Sequence, residues 1–205
     1  MLIPYSAVAA LETVAIIIDG SDGSQKLYTL HKRLLTYHSG YFRRHLTDGV
    51  KTVHVDDLPE LSIEGFDMFV DWMYERSLPS DTCTAVEEEL MLDAYTIAVE
   101  LSAGTLKNAA MDRLFNLLSD SCLSALNTEA IFDALSKDDP LLQFVVDSFC
   151  CNKGVQDNII HGDEFADRLP QAFLVRVLQK MHHLSKLPEA DRQLKREDYD
   201  IVECI

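Results

Sequence analysis

The feature that most constrains this chain is a change of hydrophobic period inside the stretch "KLYTLHKRLLTYHSGYFRRHL", Lys26 to Leu46. Up to Leu30 the pattern alternates: Leu27 and Thr29 point to one side and Tyr28 and Leu30 to the other, as a strand requires. From His31 the spacing becomes helical, with Leu34, Leu35 and His38 on one face. Ser39-Gly40 then stops that helix, and "YFRRHL" starts another. A strand that turns straight into a helical corner must pack both against one core. Leu30, Leu34, Leu35, Tyr41 and Phe42 are the residues placed to fill it. Leu34, Phe42, Phe66 and Phe69 are expected to be almost fully buried.

The surrounding elements follow from the same rules. "TVAIII", Thr13 to Ile18, is β-branched and apolar throughout and reads as a strand buried on both faces. "DGSDGS" carries two Asp-Gly turn signals and makes a hairpin with the next strand. "KTVHVDDL" offers a third strand, with Val53 and Val55 alternating against His54. Ser62 caps a helix whose apolar stripe is Ile63, Phe66, Phe69, Val70 and Met73, with Tyr74 at its end.

Beyond Pro79 the pattern is helical. One helix is capped by Thr84 and has a stripe of Leu90, Ala94, Ile97 and Leu101, and the next uses Leu106, Ala110, Leu114, Leu117 and Leu118. Three more lie in "NTEAIFDALSK", in "DPLLQFVVDSFCCNKG" between Pro140 and Gly154, and in "LPQAFLVRVLQKMHHLSK" from Pro170. The charged stretch 187–205 reads as a mobile tail.

Charge and cysteine content narrow the function. A net charge of −16 opposes an electrostatic grip on nucleic acid, which needs clustered Lys and Arg. The one basic segment, Lys26 to Arg44, reads as a solvated helix face. No apolar run is long enough to span a bilayer, and the start lacks the basic and small-residue features of a signal peptide. Cys83, Cys122, Cys150, Cys151 and Cys204 are an odd set without C-x-x-C spacing, which fits reduced thiols. The expectation is an intracellular protein of the cytoplasm or nucleus.

No arrangement points to catalysis or to a cofactor. His31, His38 and His45 recur every seventh residue, which spaces them about 10 Å apart along a helix, beyond the reach of one zinc with bonds of about 2 Å. His182 and His183 are adjacent and so diverge on a helix. In "DGSDGS" the twelfth position from Asp19 is Leu30, where a calcium loop needs a bidentate Glu. No phosphate-binding glycine motif occurs. A small metal-dependent hydrolase is the alternative from the enzyme class, and the residues name no ligands for it.

The spacing aromatic-x-x-His-Lys-x-x-Leu-x-x-x-Ser-x-Tyr-Phe, carried by Tyr28, His31, Lys32, Leu35, Ser39, Tyr41 and Phe42, resembles the signature of the BTB/POZ domain. "TVHVDDLPELSIEGFDMFVDWMYERSL" is similar to the strand, acidic turn and Tyr-terminated helix that follow it in that family. The chain beyond looks like the stand-alone BTB proteins of fungi, whose C-terminal helices include a stretch like "LPQAFL". The resemblance implies an α+β fold, a short sheet packed by helices. It also implies a division into an N-terminal segment 1–11, a BTB/POZ domain 12–119, a helical extension 120–186 and the tail 187–205.

For function the resemblance implies a non-enzymatic module that binds other proteins, and the charge and the lack of a spanning apolar run give the expectation of no direct nucleic-acid or membrane contact. His31 would be a partly buried, hydrogen-bonded member of the fold. Family members that seat a cullin ubiquitin-ligase scaffold use an apolar residue followed two positions later by Glu, and an aromatic at the next helix end. Here those positions hold Leu46, Asp48 and Tyr74, the candidate partner-binding residues. As partner anchors, Leu46 and Tyr74 would be replaceable without loss of stability; the other reading is that both only pack the edge of the module. The alternative is a scaffold or transcription-associated oligomerisation module working without a ligase. Dimer-forming members have an N-terminal strand and helix and an acidic residue facing the base after the signature His. About ten residues precede Glu12 here, and Thr13 takes the acidic position, so the resemblance implies at most a thin homodimer interface.

Overall fold

The computed structural model describes residues 12–20, 22–55, 58, 61–80, 83–119, 121–152, 168–188 and 192–200. Two compact units emerge, one made of the chain up to Ser80 with Asp93–Ala110, the other of Asp81–Leu92 with Met111 onward.

In the first unit β1 (Thr13–Asp19) is the middle strand of three. Strand β2 (Gln25–His31) runs antiparallel to it, from Thr13 opposite His31 to Asp19 opposite Gln25. Strand β3 (Thr52–Val55) pairs in parallel on the other side, Ala15 with Thr52 through Ile18 with Val55. The hairpin closes through Gly20 N–H to the Ser24 carbonyl at 2.8 Å, with Gly23 at φ 82°, a conformation that favours glycine. Asp19 and Asp22 serve this turn: Asp22 accepts from Ser24 N–H at 2.9 Å, and Asp19 accepts from Gln25 Nε2 at 2.8 Å.

Strand β2 alternates as its sequence requires, with Tyr28 and Leu30 buried and Leu27 and Thr29 exposed. Strand β1 differs from expectation. Val14, Ile16 and Ile18 are buried, but Ala15 and Ile17 are only half-buried, so its apolar run has one core face rather than two.

Helix α1 (Lys32–His38) ends and α2 (Gly40–His45) begins at Ser39, which is both C-cap and N-cap. Helix α3 (Ile63–Glu75) starts at Ser62, whose hydroxyl oxygen accepts from Gly65 N–H at 2.9 Å. Its buried face is Gly65, Phe66, Phe69, Trp72 and Met73. Ile63 and Val70, placed on the stripe by periodicity, are half-buried at its flanks, and Trp72 takes the inner position. Phe66 is the centre of an aromatic cluster, with Tyr28 edge-on at 4.8 Å, Phe42 at 5.9 Å and Phe69 at 5.8 Å. Leu34, Phe42, Phe66 and Phe69 are all buried, as the sequence pattern requires.

Helices α4 (Thr84–Glu100) and α5 (Gly104–Leu118) follow. The Glu87 N–H bonds to the Cys83 carbonyl at 3.0 Å, which moves the helix start one residue ahead of the expected Thr84 cap. In the first unit Tyr95, Ala98, Leu101 and Leu106 are buried. Gly65 permits the close approach of Ile97, whose Cδ1 would lie 2.8 Å from a Cβ placed there.

The second unit adds α6 (Ala125–Ala134), α7 (Pro140–Cys151) and α8 (Gln171–Leu184). Ser124 caps α6 and Asp139 caps α7, each accepting a backbone N–H, with Pro140 in the first turn of α7. Gly154, the expected stop of α7, lies outside the described residues; Asn152 is the C-cap. Helices α7 and α8 pack through Phe149 and Phe173, 5.3 Å apart.

The tail corrects the expectation of mobility over its described part. A short 3-10 helix, Arg196–Tyr199, buries Tyr199 to 3% exposure against Phe144, 5.1 Å between rings. The Tyr199 hydroxyl donates to Asp147 at 3.0 Å, and Arg196 bonds Asp112 at 2.6 Å. A run that reads as solvated charge thus carries one aromatic anchor with a buried carboxylate to receive its hydroxyl.

Candidate functional site

The signature residues divide into a buried corner and an exposed edge. In the corner, Ser39 Oγ donates to the Leu101 carbonyl at 2.6 Å and accepts from Phe42 N–H at 3.1 Å. Gly40 N–H bonds the Ser102 carbonyl at 3.0 Å, and Tyr41 N–H the Leu101 carbonyl at 3.2 Å. The corner between α1 and α2 is therefore bonded to the α4–α5 turn by three hydrogen bonds, with Leu35, Tyr41 and Phe42 packed beneath. These residues build the fold.

The three histidines of the seven-residue spacing go separate ways. His45 stacks on Tyr41 at 4.1 Å. His38 is buried, edge-on to Trp72 at 5.4 Å, with Arg76 3.5 Å from its Nδ1. Burial, and then the Arg76 charge, hold its pKa down to about 4, so the ring is neutral at pH 7. Arg76 itself stacks on Trp72 at 4.7 Å from the left-handed cap position of α3, φ 58°. Nothing in the periodicity marks this His38–Trp72–Arg76 group, because its members come from two helices and a cap.

The exposed edge begins at Tyr74, 38% accessible at the end of α3. Its hydroxyl lies 2.7 Å from His31 Nδ1, and the His31 N–H also points to it at 3.4 Å. This is the hydrogen-bonded, half-buried His31 that the resemblance implies. Lys32 extends the edge: Nζ donates to the Thr47 carbonyl at 2.9 Å and stands 3.9 Å from Glu12, whose carbonyl accepts the Lys32 N–H at 3.0 Å. Glu12 thus supplies the acidic partner that Thr13 cannot.

Thr47 opens the turn that exposes Asp48, with Gly49 at φ 85°. Tyr74, His31, Lys32 and Asp48 are therefore linked through direct bonds and chain neighbours. Leu46 is not among them. At 5% exposure it belongs to the core, because its N–H closes the last turn of α2 on the Phe42 carbonyl at 2.9 Å and the chain there turns inward before β3. Of the two readings of Leu46, the exposed anchor is corrected and the packing residue is what the fold holds.

A family model, the BTB/POZ domain, matches residues 11–114. The chain belongs to the BTB/POZ family. Its three-stranded sheet with helices is the α+β arrangement expected of it, and the domain marks this chain as a protein–protein interaction module. No curated protein matches the sequence.

Other groups on this BTB/POZ chain are accounted for by packing. Cys150 is buried, its thiol donates to the Val177 carbonyl at 3.8 Å, and burial pushes its pKa up to about 12. Cys151 donates to the Arg192 carbonyl at 3.2 Å. Both are held as thiols at pH 7. Among the described residues no three His, Cys, Asp or Glu side chains gather where they could hold a metal ion. None of the described helices is long and apolar enough to cross a membrane.

Proposed function

We propose that the edge formed by His31, Lys32, Asp48 and Tyr74 receives a protein partner, and that the chain acts as a non-enzymatic adaptor seating a cullin scaffold. The division 12–119 and 120–186 would then separate the seating module from the extension that reads a client. The observation that supports this is the bonded row from Tyr74 through His31 and Lys32 to the loop bearing Asp48, with Tyr74 and Asp48 both exposed. An aromatic fixed by a hydrogen bond loses little side-chain freedom when a partner covers it.

The test is a titration of the full chain with a cullin N-terminal region. Binding in the micromolar range, weakened at least tenfold by Tyr74→Ala with Asp48→Ala, supports the reading; tenfold corresponds to about 1.4 kcal/mol. No binding by the parent chain where a known adaptor binds would refute it. One observation favours the second reading, a ligase-independent scaffold or transcription-associated module: Leu46, the apolar position of the cullin-seating pattern, is withdrawn into the core.

A further inference from the structure

Helix α8 has two apolar faces, and among the described residues only one of them is covered. Phe173, Val177 and Leu184 are buried. Leu174, Leu178 and Met181 are 39%, 69% and 41% exposed, and Val175 beside them is 45% exposed. At about 100° per residue, positions 174, 178 and 181 fall within about 60° of one another, a single stripe along the helix. A run of large apolar groups facing water on one element marks a binding face rather than scattered surface residues. This face lies outside the residues matched by the BTB/POZ domain.

Charge indicates what covers it. Residues 168–186 contain Arg168, Arg176, Lys180 and Lys186 and no Asp or Glu, in a chain with 34 acidic and 18 basic residues. Two of these cations are taken up on the side away from the stripe. Lys180 pairs with Asp147 at 2.9 Å, and Arg176 lies over the Phe132 ring and donates to the Lys137 carbonyl. Arg168 and Lys186 are exposed at the two ends of the helix. A second copy of this chain is a poor fit, because α8 against α8 sets Arg168 and Lys186 of one copy against the same cations of the other.

We infer that the Leu174–Leu178–Met181 stripe is a docking face for an acidic amphipathic helix of a partner protein. The partner's apolar side chains at i, i+4 and i+7 cover the stripe, and its carboxylates meet Arg168 and Lys186. This site is independent of the edge at Tyr74, so either can fail without the other.

The probe is a labelled synthetic helix of about five turns, with Leu at i, i+4 and i+7 and Glu on the flanks, beside a twin with Lys for Glu. Fluorescence anisotropy with the full chain is expected to show the acidic helix binding and the basic twin not. Leu178→Glu should weaken binding at least tenfold with an unchanged melting temperature, since Leu178 is mostly solvent-exposed. Arg168→Glu with Lys186→Glu should weaken it at least threefold, and added salt should weaken it for the parent chain. The inference is overturned if the acidic helix does not bind, if both helices bind equally, or if Leu178→Glu leaves binding unchanged. A parent chain that sediments as a dimer which Leu178→Glu dissociates would also overturn it, assigning the stripe to a second copy.

Discussion

Among the described residues the buried polar side chains of the first unit are neutral, His38 and Ser39, whereas those of the second include three carboxylates, Glu87, Asp139 and Asp147. The first unit satisfies its polar groups at one corner, where Ser39 and Gly40 bond carbonyls of the α4–α5 turn. The second joins distant segments by charge. Glu87 pairs with Arg113, 26 residues on, and Asp147 receives Gln143 at 2.8 Å, Lys180 at 2.9 Å and Tyr199 from 52 residues on. A buried carboxylate needs such partners, so the packing around Asp147 depends on the tail that brings Tyr199 to it. Asp147 in turn raises the Tyr199 pKa, which burial has already lifted, and the hydroxyl stays a donor.

The largest expected effect tests the neutral, aromatic core. Phe66→Ala removes the ring that Tyr28, Phe42 and Phe69 touch and should cost about 3–5 kcal/mol through the cavity left behind. Equal urea midpoints for parent and variant would show that this core is not the unit's main support. Leu46→Ala should cost about 3 kcal/mol for the same reason. A melting temperature unchanged by Leu46→Ala would return that residue to the surface, where the adaptor pattern places it.

The neutrality of His38 can be tested by pH. Its folded pKa of about 4 lies below the ordinary 6.5, so between those values the unfolded chain binds the extra proton. Stability from this group is therefore complete above about pH 6.5 and falls as pH drops towards 4, a loss approaching about 3 kcal/mol. Urea unfolding at pH 7 and pH 4.5 should show that drop in the parent chain and a shallower one in His38→Gln. Parallel slopes would mean that His38 is not held neutral by its surroundings.

In the second unit Tyr199→Phe removes one donor to a buried carboxylate and keeps the ring on Phe144. A hydrogen bond to a charged group contributes about 1.5–3 kcal/mol, and about 2 is expected here because Lys180 and Gln143 stay in place. Limited proteolysis should cut the variant's tail faster at unchanged cutting elsewhere. A tail equally protected in Tyr199→Phe would show that the ring alone anchors it, and the contrast between the two units would weaken.

The same contrast explains what the sequence made legible. The hairpin, the strand-to-helix switch at His31 and the Ser39 corner are written in neighbours two to four positions apart, where period and capping act. Trp72 was hidden because a stripe through Ile63, Phe66 and Val70 is equally periodic, and only the neighbours packed around α3 decide which side turns in. Leu46 reads from the sequence as either a partner anchor or a packing residue, because an apolar residue after a helix can face either way; its burial beside the last turn of α2 decides for packing. The burial of Tyr199 is not written in the tail's own sequence, because it depends on Asp147, far away in the chain. Of the candidate edge, His31 and Tyr74 were both singled out, but the bond between them was not.

That bond gives the smallest effect and the sharpest division between folding and binding. Tyr74→Phe keeps the ring at the end of α3 and removes the hydroxyl that meets His31 Nδ1. On a partly exposed pair the loss should be about 0.5–1 kcal/mol, because water replaces the missing partner. A double-mutant cycle with His31→Phe should assign most of that to coupling between the two side chains. If partner binding then weakens in Tyr74→Phe by much more than the change in stability allows, the hydroxyl contacts the partner directly. If binding is unchanged in Tyr74→Phe but lost in Tyr74→Ala, the ring is the contact and the bond to His31 serves only to aim it. Equal binding by all three chains would remove Tyr74 from the interface and leave the pair as part of the fold.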